Sequence, residues 1–458
     1  MESVGFEVNA ATWFYLSFLL IVSVFFRFGR IWSLRNLDLA LLLAMSPGFV
    51  FLKQGQTLGD VWMFGVAGLM LVRVLCDGLL TRRPQLESNL NAAGMGFLGI
   101  SAFAFLMAIV AASPPPQSTV DTVRRADKLI HRKDASELQN SVEAGPATSL
   151  LAAPVVPISS AVVKNAVATD REAEKANHGM VEIVAARIMV ILAHIAVLAA
   201  LLVAGQIHFG DRSAGVAMAT LYLLLPCTAY DIGKVNHVLP AALVAWAFVA
   251  YRRPMVAGGL LGLACGTVFY PVFLLPLWGS FYGRRGAVRF GLALGIVAAV
   301  LLGTLALTSA DRSSFVQQTL GSIEWTLLEF RDADPSGFWS LYDPAYRIPL
   351  FAAFAVMVVV LTIWPRTKTL EDLLAHSAAI VIGTQFWYPQ KGSVYVLWYL
   401  PMILMAVFRP RLNHLGRPQP EVAVEASVVT PPSHAPAMPE IRTREPALTG
   451  SGPRPLFR

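Results

Sequence analysis

Charge is scarce in this chain. Only 14% of its 458 residues are Asp, Glu, Lys or Arg, against roughly a quarter in ordinary soluble domains. So few polar groups cannot cover a surface of this size, which excludes a water-soluble globular protein. Cysteine is scarcer still. Cys76, Cys227 and Cys265 each lie inside an apolar run and form no Cys-x-x-Cys pair, so they read as small buried hydrophobes rather than disulfide partners or metal ligands. Walker A, Gly-x-Ser-x-Gly and His-Glu-x-x-His patterns are absent, and His208, His237 and His376 show no metal-ligand spacing. No metal site is expected. The net charge of +7 has no basic stripe interleaved with aromatics behind it, so nucleic acid is not an expected partner.

What the chain has instead is apolar length. Hydrophobic residues make up 55%, the mean hydropathy is +0.58, and the apolar residues fall in repeated runs. Segments near 12–26, 37–52, 61–80, 93–112, 182–204, 214–232, 236–250, 255–268, 271–282, 288–308, 349–364, 373–388 and 394–408 are candidate spans, several of them shorter than the ~20 residues an upright helix needs. The first run lacks a basic flank and a cleavage site and reads as a true span, not a signal peptide. Basic clusters fall at alternate turns: Arg27, Arg30 and Arg35; Arg82 and Arg83; Arg212; Arg252 and Arg253; Arg284, Arg285 and Arg289; Arg366 and Lys368; Arg409 and Arg411. Basic loops stay in the cytoplasm. One arrangement satisfies every cluster: a multi-pass protein of the cytoplasmic (inner) membrane, N-terminus outside, C-terminus cytoplasmic. The lipid bilayer is its first expected partner.

The expected fold is all-α and polytopic, with about 11–13 transmembrane helices and one broken helix pair. Its organisation reads as a four-span region (1–112), an extracytoplasmic flexible loop (113–181), a membrane core (182–308), an aromatic and acidic outer loop (309–348), a three-span region (349–408) and a disordered cytoplasmic tail (409–458). The loop 113–181 opens on three prolines and balances eight basic against eight acidic side chains, with a helix expected near 121–140. Gly258, Gly259, Gly262 and Gly266 allow close helix contact, and Pro271 and Pro276 then interrupt the helix. Two half-spans meeting at 269–271, or one kinked helix, are both consistent with this; the basic residues at 253 and 284 favour two.

Ionisable groups are costly in a bilayer and each needs a reason. The segment 230–237 places Tyr230, Asp231, Lys234, Asn236 and His237 between two apolar runs. Asp231 is the acid to choose if the protein is catalytic; equally, it caps the next helix or pairs with Lys234 at i,i+3. In the outer loop, Asp332, Asp334 and Asp343 alternate with Trp325, Trp339, Tyr342 and Tyr346. Carboxylates and aromatic faces bind sugars, so Asp332, Asp334, Asp343 and Tyr342 are candidate acceptor ligands; an interfacial aromatic belt is the alternative. Arg73 and Asp77, at i,i+4, are expected to form a salt bridge, and His194 to be a hydrogen-bonded packing residue.

The run 214–290 resembles the integral-membrane glycosyltransferases of the GT-C fold, nearest to the polyprenyl-phosphate-mannose-dependent branch with its Gly-Gln-x-Asn turn. The matching features occur in order: a Leu-rich span ending at Pro226; the turn at Gly233, Val235 and Asn236; Arg252-Arg253-Pro254; the glycine-rich 257–264; and Tyr270-Pro271 with Leu274-Leu275-Pro276. The resemblance implies transfer of a sugar from a polyprenyl-phosphate donor to an extracytoplasmic acceptor, with Lys234, Asn236, His237 and Tyr270 as donor or phosphate ligands. Two departures stand out: Lys234 replaces the family's Gln, and Val268 replaces a family Lys suited to phosphate. Lys234 is expected to supply the missing charge. The family's first outer loop also carries an acid that acts as general base. Here the first outer loop bears only Asp60, and the resemblance assigns the acid to no single residue. A non-catalytic scaffold or lipid-handling relative is the second reading, and a transporter the third.

Overall fold

The computed structural model describes residues 10–80, 88–133, 145–166, 173–309, 311–321, 330, 336–412 and 414–416. Among them the regular structure is helical, with no strand. The elements in order are α1 (Ala10–Phe25), α2 (Leu34–Lys53), α3 (Thr57–Leu75), α4 (Ala92–Ala112), α5 (Gln117–Ile130), α6 (Pro146–Ala152), α7 (Val155–Ala166), α8 (Ala173–Ile207), α9 (Arg212–Leu224), α10 (Pro226–Tyr230), α11 (Val235–Val249), α12 (Pro254–Cys265), α13 (Leu275–Leu307), α14 (Arg312–Gly321), α15 (Arg347–Ile363), α16 (Leu370–Thr384) and α17 (Leu400–Phe408). Local sequence explains the starts. Ser33, Asn91 and Asp211 accept backbone N–H bonds at the heads of α2, α4 and α9, and Thr369 with Asp372 forms a capping box on α16. Proline opens α6, α10 and α12, where no donor is needed.

Six helical segments are long and apolar enough to cross a membrane, and 12–25, α11 and α12 are shorter apolar helices. The protein is thus an all-α, multi-pass membrane protein, as composition requires. The shorter helices are tolerable because neighbours cover them: α11 lies against α8 and α12, and α12 against α13. Isoleucine, leucine and valine on α4, α13 and α15 point outward instead, at Ile100, Leu292, Ile296, Val356 and Val359, as lipid-facing surfaces do.

The expected break at 269–271 is present. The chain leaves α12 at Cys265 and runs through a 3₁₀ turn at Tyr270–Leu274 before α13. A sharper reversal follows at Gly283, whose φ of 64° and ψ of 179° no helix contains. Before it, the chain descends from Tyr270, stacked on Trp398, to Tyr282, whose hydroxyl donates to the Tyr251 carbonyl. After it, the chain returns beside α12. Phe290, Val297 and Leu301 then meet Gly258, Gly262 and Gly266 in turn. The two half-spans are therefore separate, as the basic clusters favoured.

The segment expected to be a flexible loop is, where described, helical. α5 carries Thr119, Val120, Thr122, Val123 and Ala126 on one buried stripe, and α6 and α7 form a bent pair lying on the bundle. Backbone pairing fixes α6: Gly145 N donates to Thr267 O, and Ala147 N to Gly266 O, both at 2.9 Å. The expected helix near 121–140 begins earlier and stops at Ile130. Residues 134–144 and 167–172 lie outside the described residues. So do residues 417–458, the bulk of the expected tail. Its first residues belong to the bundle: Arg409 and Leu412 are buried, and Leu370 N donates to Leu415 O at 2.8 Å.

Candidate functional site

The ends of the bundle differ in character. One end gathers the basic turns. There Arg73 grips Asp38 with two nitrogens and Asp77 with a third, while Arg409 pairs with Asp77 and Glu371. The expected Arg73–Asp77 bridge is thus one edge of a buried five-residue network. Each buried carboxylate there meets a guanidinium group, as buried charges must.

The other end holds the segment 230–237, built by three supports. α10 stops at Tyr230 and Asp231 caps it; Lys234 N donates to Asp231 O at 3.0 Å and α11 begins. From within the bundle, His194 Nε2–H donates to the Ile232 carbonyl (3.0 Å), and Nδ1 accepts from the Tyr222 hydroxyl (2.9 Å). That pairing sets the imidazole tautomer. From above, α5 covers the turn: Thr119 Oγ1 donates to Gly233 O at 3.1 Å, and a Cβ at Gly233 would lie 3.1 Å from Pro116. Beside the turn, Arg124 grips Glu182 of α8, which raises its pKa. Burial lowers that of Arg125, against the pull of Asp121.

The site residues expected from sequence fall into three groups. Asp231, Lys234, Asn236 and His237 are brought together. Asp231 is 3% exposed, and its Oδ1 lies 2.8 Å from Lys234 Nζ, which also stands over the Tyr230 ring at 6.0 Å. The pairing read from the i,i+3 spacing is therefore present. Asn236 is equally buried, and its Nδ2 has no hydrogen-bond partner among the described residues. His237 Nδ1 accepts from Trp398 Nε1 at 3.1 Å and sits against Tyr395.

Tyr270 belongs to a second group. It is fully buried, stacked on Trp398 at 4.7 Å, with its hydroxyl directed at the Trp398 carbonyl. It builds the aromatic floor beneath His237 and offers no free hydroxyl to a donor. The acceptor candidates form the third. Asp343 Oδ1 accepts from Ala345 N at 2.8 Å, capping a short turn. Tyr342 is half exposed and packs on Phe338. Asp332 and Asp334 lie outside the described residues, as does Trp325.

Two functional candidates come from segments that sequence reasoning did not join to this turn. Asp60, on the first turn of α3, lies within electrostatic reach of Tyr230 and of Lys391. Gly337 sits between them: a Cβ there would be 3.0 Å from Asp60 Oδ1 and 2.9 Å from Lys391 Cα. Phe64, one turn along α3, stacks on Phe338 at 3.8 Å and holds that strap in place. A lone acid at a span's start was visible as the first outer loop's only carboxylate; its neighbours were not. Among the described residues, no group of three or more His, Cys, Asp and Glu side chains could hold a metal ion.

A membrane-embedded turn carrying an acid, a lysine, an amide and an imidazole is thus held in an apolar bundle, and the comparison with protein families covers it. Residues 178–389 match the model of glycosyltransferase family 87. No curated protein and no solved structure matches the chain. The glycosyltransferase family 87 match starts in α8 and includes His194, the whole of 230–237 and Tyr270. It ends two residues before Lys391 and leaves Asp60 far outside. The resemblance to membrane glycosyltransferases seen in the 214–290 motifs therefore extends over most of the bundle's second half.

Proposed function

We propose that this protein transfers a sugar from a polyprenyl-phosphate donor to an acceptor at the outer face of the cytoplasmic membrane, with a GT-C-like bundle as its scaffold. The observation that carries the reading is the turn 230–237, which gathers Asp231, Lys234, Asn236 and His237 at one end of a glycosyltransferase-like bundle, with Asp60 within electrostatic reach of Tyr230. The basic turns at the opposite end support a cytoplasmic position for that end and an outer one for the site, with the N-terminus outside and the C-terminus inside. A lipid-linked donor suits such a site, because its tail stays in the bilayer while its phosphate reaches the turn. Lys234, paired with Asp231, is the cation of the turn nearest to that phosphate.

Asp60 is the better-placed base. Asp231 is neutralised by Lys234, whereas Asp60 makes no ion pair among the described residues. In the proposed step the Asp60 carboxylate takes the proton of an acceptor hydroxyl as that oxygen bonds to the anomeric carbon. The bond from that carbon to the phosphate oxygen breaks, and its electron pair leaves with the polyprenyl phosphate. Tyr342, half exposed beside Phe338, is the aromatic face available to an acceptor sugar.

Asp60→Asn and Asp231→Asn, reconstituted in vesicles with polyprenyl-phosphate sugars, test the assignment. Asp60→Asn is expected to lower kcat by about 10²-fold or more, the scale of general-base catalysis, with donor binding intact. Asp231→Asn is expected chiefly to lower the unfolding temperature. Wild-type turnover by Asp60→Asn would remove Asp60 from the chemistry. A wild type inert toward every donor would favour the non-catalytic scaffold.

A further inference from the structure

Two residues of the loop 389–393 lie in the left-handed region of backbone space, Lys391 at φ of 43° and Ser393 at φ of 74°. Residues with side chains disfavour that region, so the loop must be held there. The strap 336–341 holds it. Ser336 N donates to Pro389 O at 3.1 Å, Lys391 N to Ser336 O at 3.1 Å, and Ser336 Oγ to Gln390 Oε1 at 2.7 Å. From behind, Ser393 N donates to Gln385 Oε1 at 3.1 Å. Gly337, itself at φ of 72°, then runs between the loop and α3. A Cβ there would lie 2.9 Å from Lys391 Cα and 3.0 Å from Asp60 Oδ1.

The loop thus sets a lysine beside an acid without joining the two. Lys391 is within electrostatic reach of Asp60, yet its exposed side chain makes no ion pair among the described residues. Other cations around the site are engaged: Lys234 holds Asp231 at 2.8 Å, and Arg124 holds Glu182 at 2.9 Å. A lysine that served only to neutralise Asp60 would close on it, since the attraction grows as the gap shrinks. One kept off by a pinned backbone has its charge available to a third group. That group does not come from the donor side. Tyr230 has Asp231, Lys234 and Asp60 within electrostatic reach, but not Lys391. On the Lys391 side, the strap runs from Gly337 through Phe338, stacked on Phe64, to the half-exposed ring of Tyr342, which packs on Phe338 at 5.0 Å. This is the side on which an acceptor sugar meets Asp60.

We propose that Lys391 is a specificity residue for the acceptor, and that the acceptor is a sugar bearing an anionic group, either a carboxylate as in a uronic acid or a phosphate ester. The inference rests on the reading of this end as the acceptor side of a glycosyl-transfer site with Asp60 as its base. A carboxylate base repels an acidic sugar that approaches it. A lysine fixed beside the base reverses that repulsion and favours the charged acceptor over a neutral one. Lys391 touches no reacting atom. It holds the anion, and with it the sugar, so that a hydroxyl of the same ring can face Asp60. The family match ends at 389, so this preference belongs to a part of the chain that the shared pattern does not reach.

The test is binding to the purified full-length protein with no donor present, read by saturation-transfer NMR. The probes are methyl glucuronide, glucose 6-phosphate and the neutral methyl glucoside. The wild type is expected to bind at least one charged sugar about fivefold more tightly than methyl glucoside, the scale of an exposed charge pair. The charged probe it prefers tells carboxylate from phosphate, and the preference should shrink at high salt. Lys391→Gln should bring the charged sugars down to the level of methyl glucoside, and Lys391→Arg should keep the preference. Lys391→Glu should bind glucosamine ahead of methyl glucuronide, a reversal that a merely structural role would not produce. Equal binding of the three probes by the wild type, binding of neither charged one, or a preference that survives Lys391→Gln would overturn the inference. The transfer reading would then still be decided by the turnover of Asp60→Asn. A charge preference in a protein inert toward every donor would remove the acceptor role and leave an anion site without a reaction.

Discussion

His194 spends both ring nitrogens on a single task. One holds the Ile232 carbonyl and the other the Tyr222 hydroxyl, deep in the apolar bundle. Its removal would leave that carbonyl without a partner in a medium that offers no water. His194→Leu is expected to cost about 1–3 kcal/mol, read as a lower thermal midpoint in detergent, and to loosen donor binding as the turn relaxes. His194→Gln, which can donate to the same carbonyl, should recover part of both. At this scale the sequence was readable where partners are neighbours. The pairing of Asp231 with Lys234 follows from three residues of separation, and that of Arg73 with Asp77 from four. It was silent where the fold supplies the partner: Asp60 to Tyr230, Lys391 to Gly337, Tyr270 to Trp398. Tyr270 was misjudged for that reason, since no local pattern shows that its hydroxyl is already used.

Among the elements, α12 and the second leg of α13 pack backbone against backbone. A Cβ at Gly258 would stand 2.5 Å from the Phe290 carbonyl, whereas one at Gly259 would meet nothing within 4 Å. Gly258→Val should therefore destabilise by about 1–3 kcal/mol through overpacking, and Gly259→Ala should be neutral. Thermal unfolding of the two variants side by side checks this; equal effects would show that the glycines act through backbone entropy instead. The glycine spacing made this contact legible in advance. α5 was less so. Its buried stripe of Thr119, Val120, Thr122, Val123 and Ala126 has helical periodicity, but low hydropathy and many charges made the segment read as a solvated loop. Its apolar face is narrow because it packs on the short α6, the flank of α8 and the head of α11, not on a whole core.

For the molecule as a whole, the alternation of basic turns bears on every loop at once, because the cost of carrying lysine and arginine across a membrane acts on each alike. It implies a sidedness that can be measured. In a background with alanine at the three native cysteines, Gln54→Cys and Ser340→Cys should react with a membrane-impermeant maleimide in intact cells. Arg253→Cys and Arg285→Cys should react only after permeabilisation. Labelling of all four alike, or the reverse pattern, would overturn the assignment of the site to the outer face. The acceptor candidates were the least legible part. Asp343 proved to be a turn cap, a role fixed by a backbone that composition does not reveal.

The network at the opposite end has a consequence for the order of synthesis. Asp77 is made early, and Arg409, which closes on it, lies 332 residues later. Until Arg409 leaves the ribosome, Asp77 and Glu371 wait for the guanidinium that joins them in the finished bundle. A chain halted before residue 409 never forms that link. Closure of the cluster is thus a late event in synthesis, set by a residue 332 positions after Asp77.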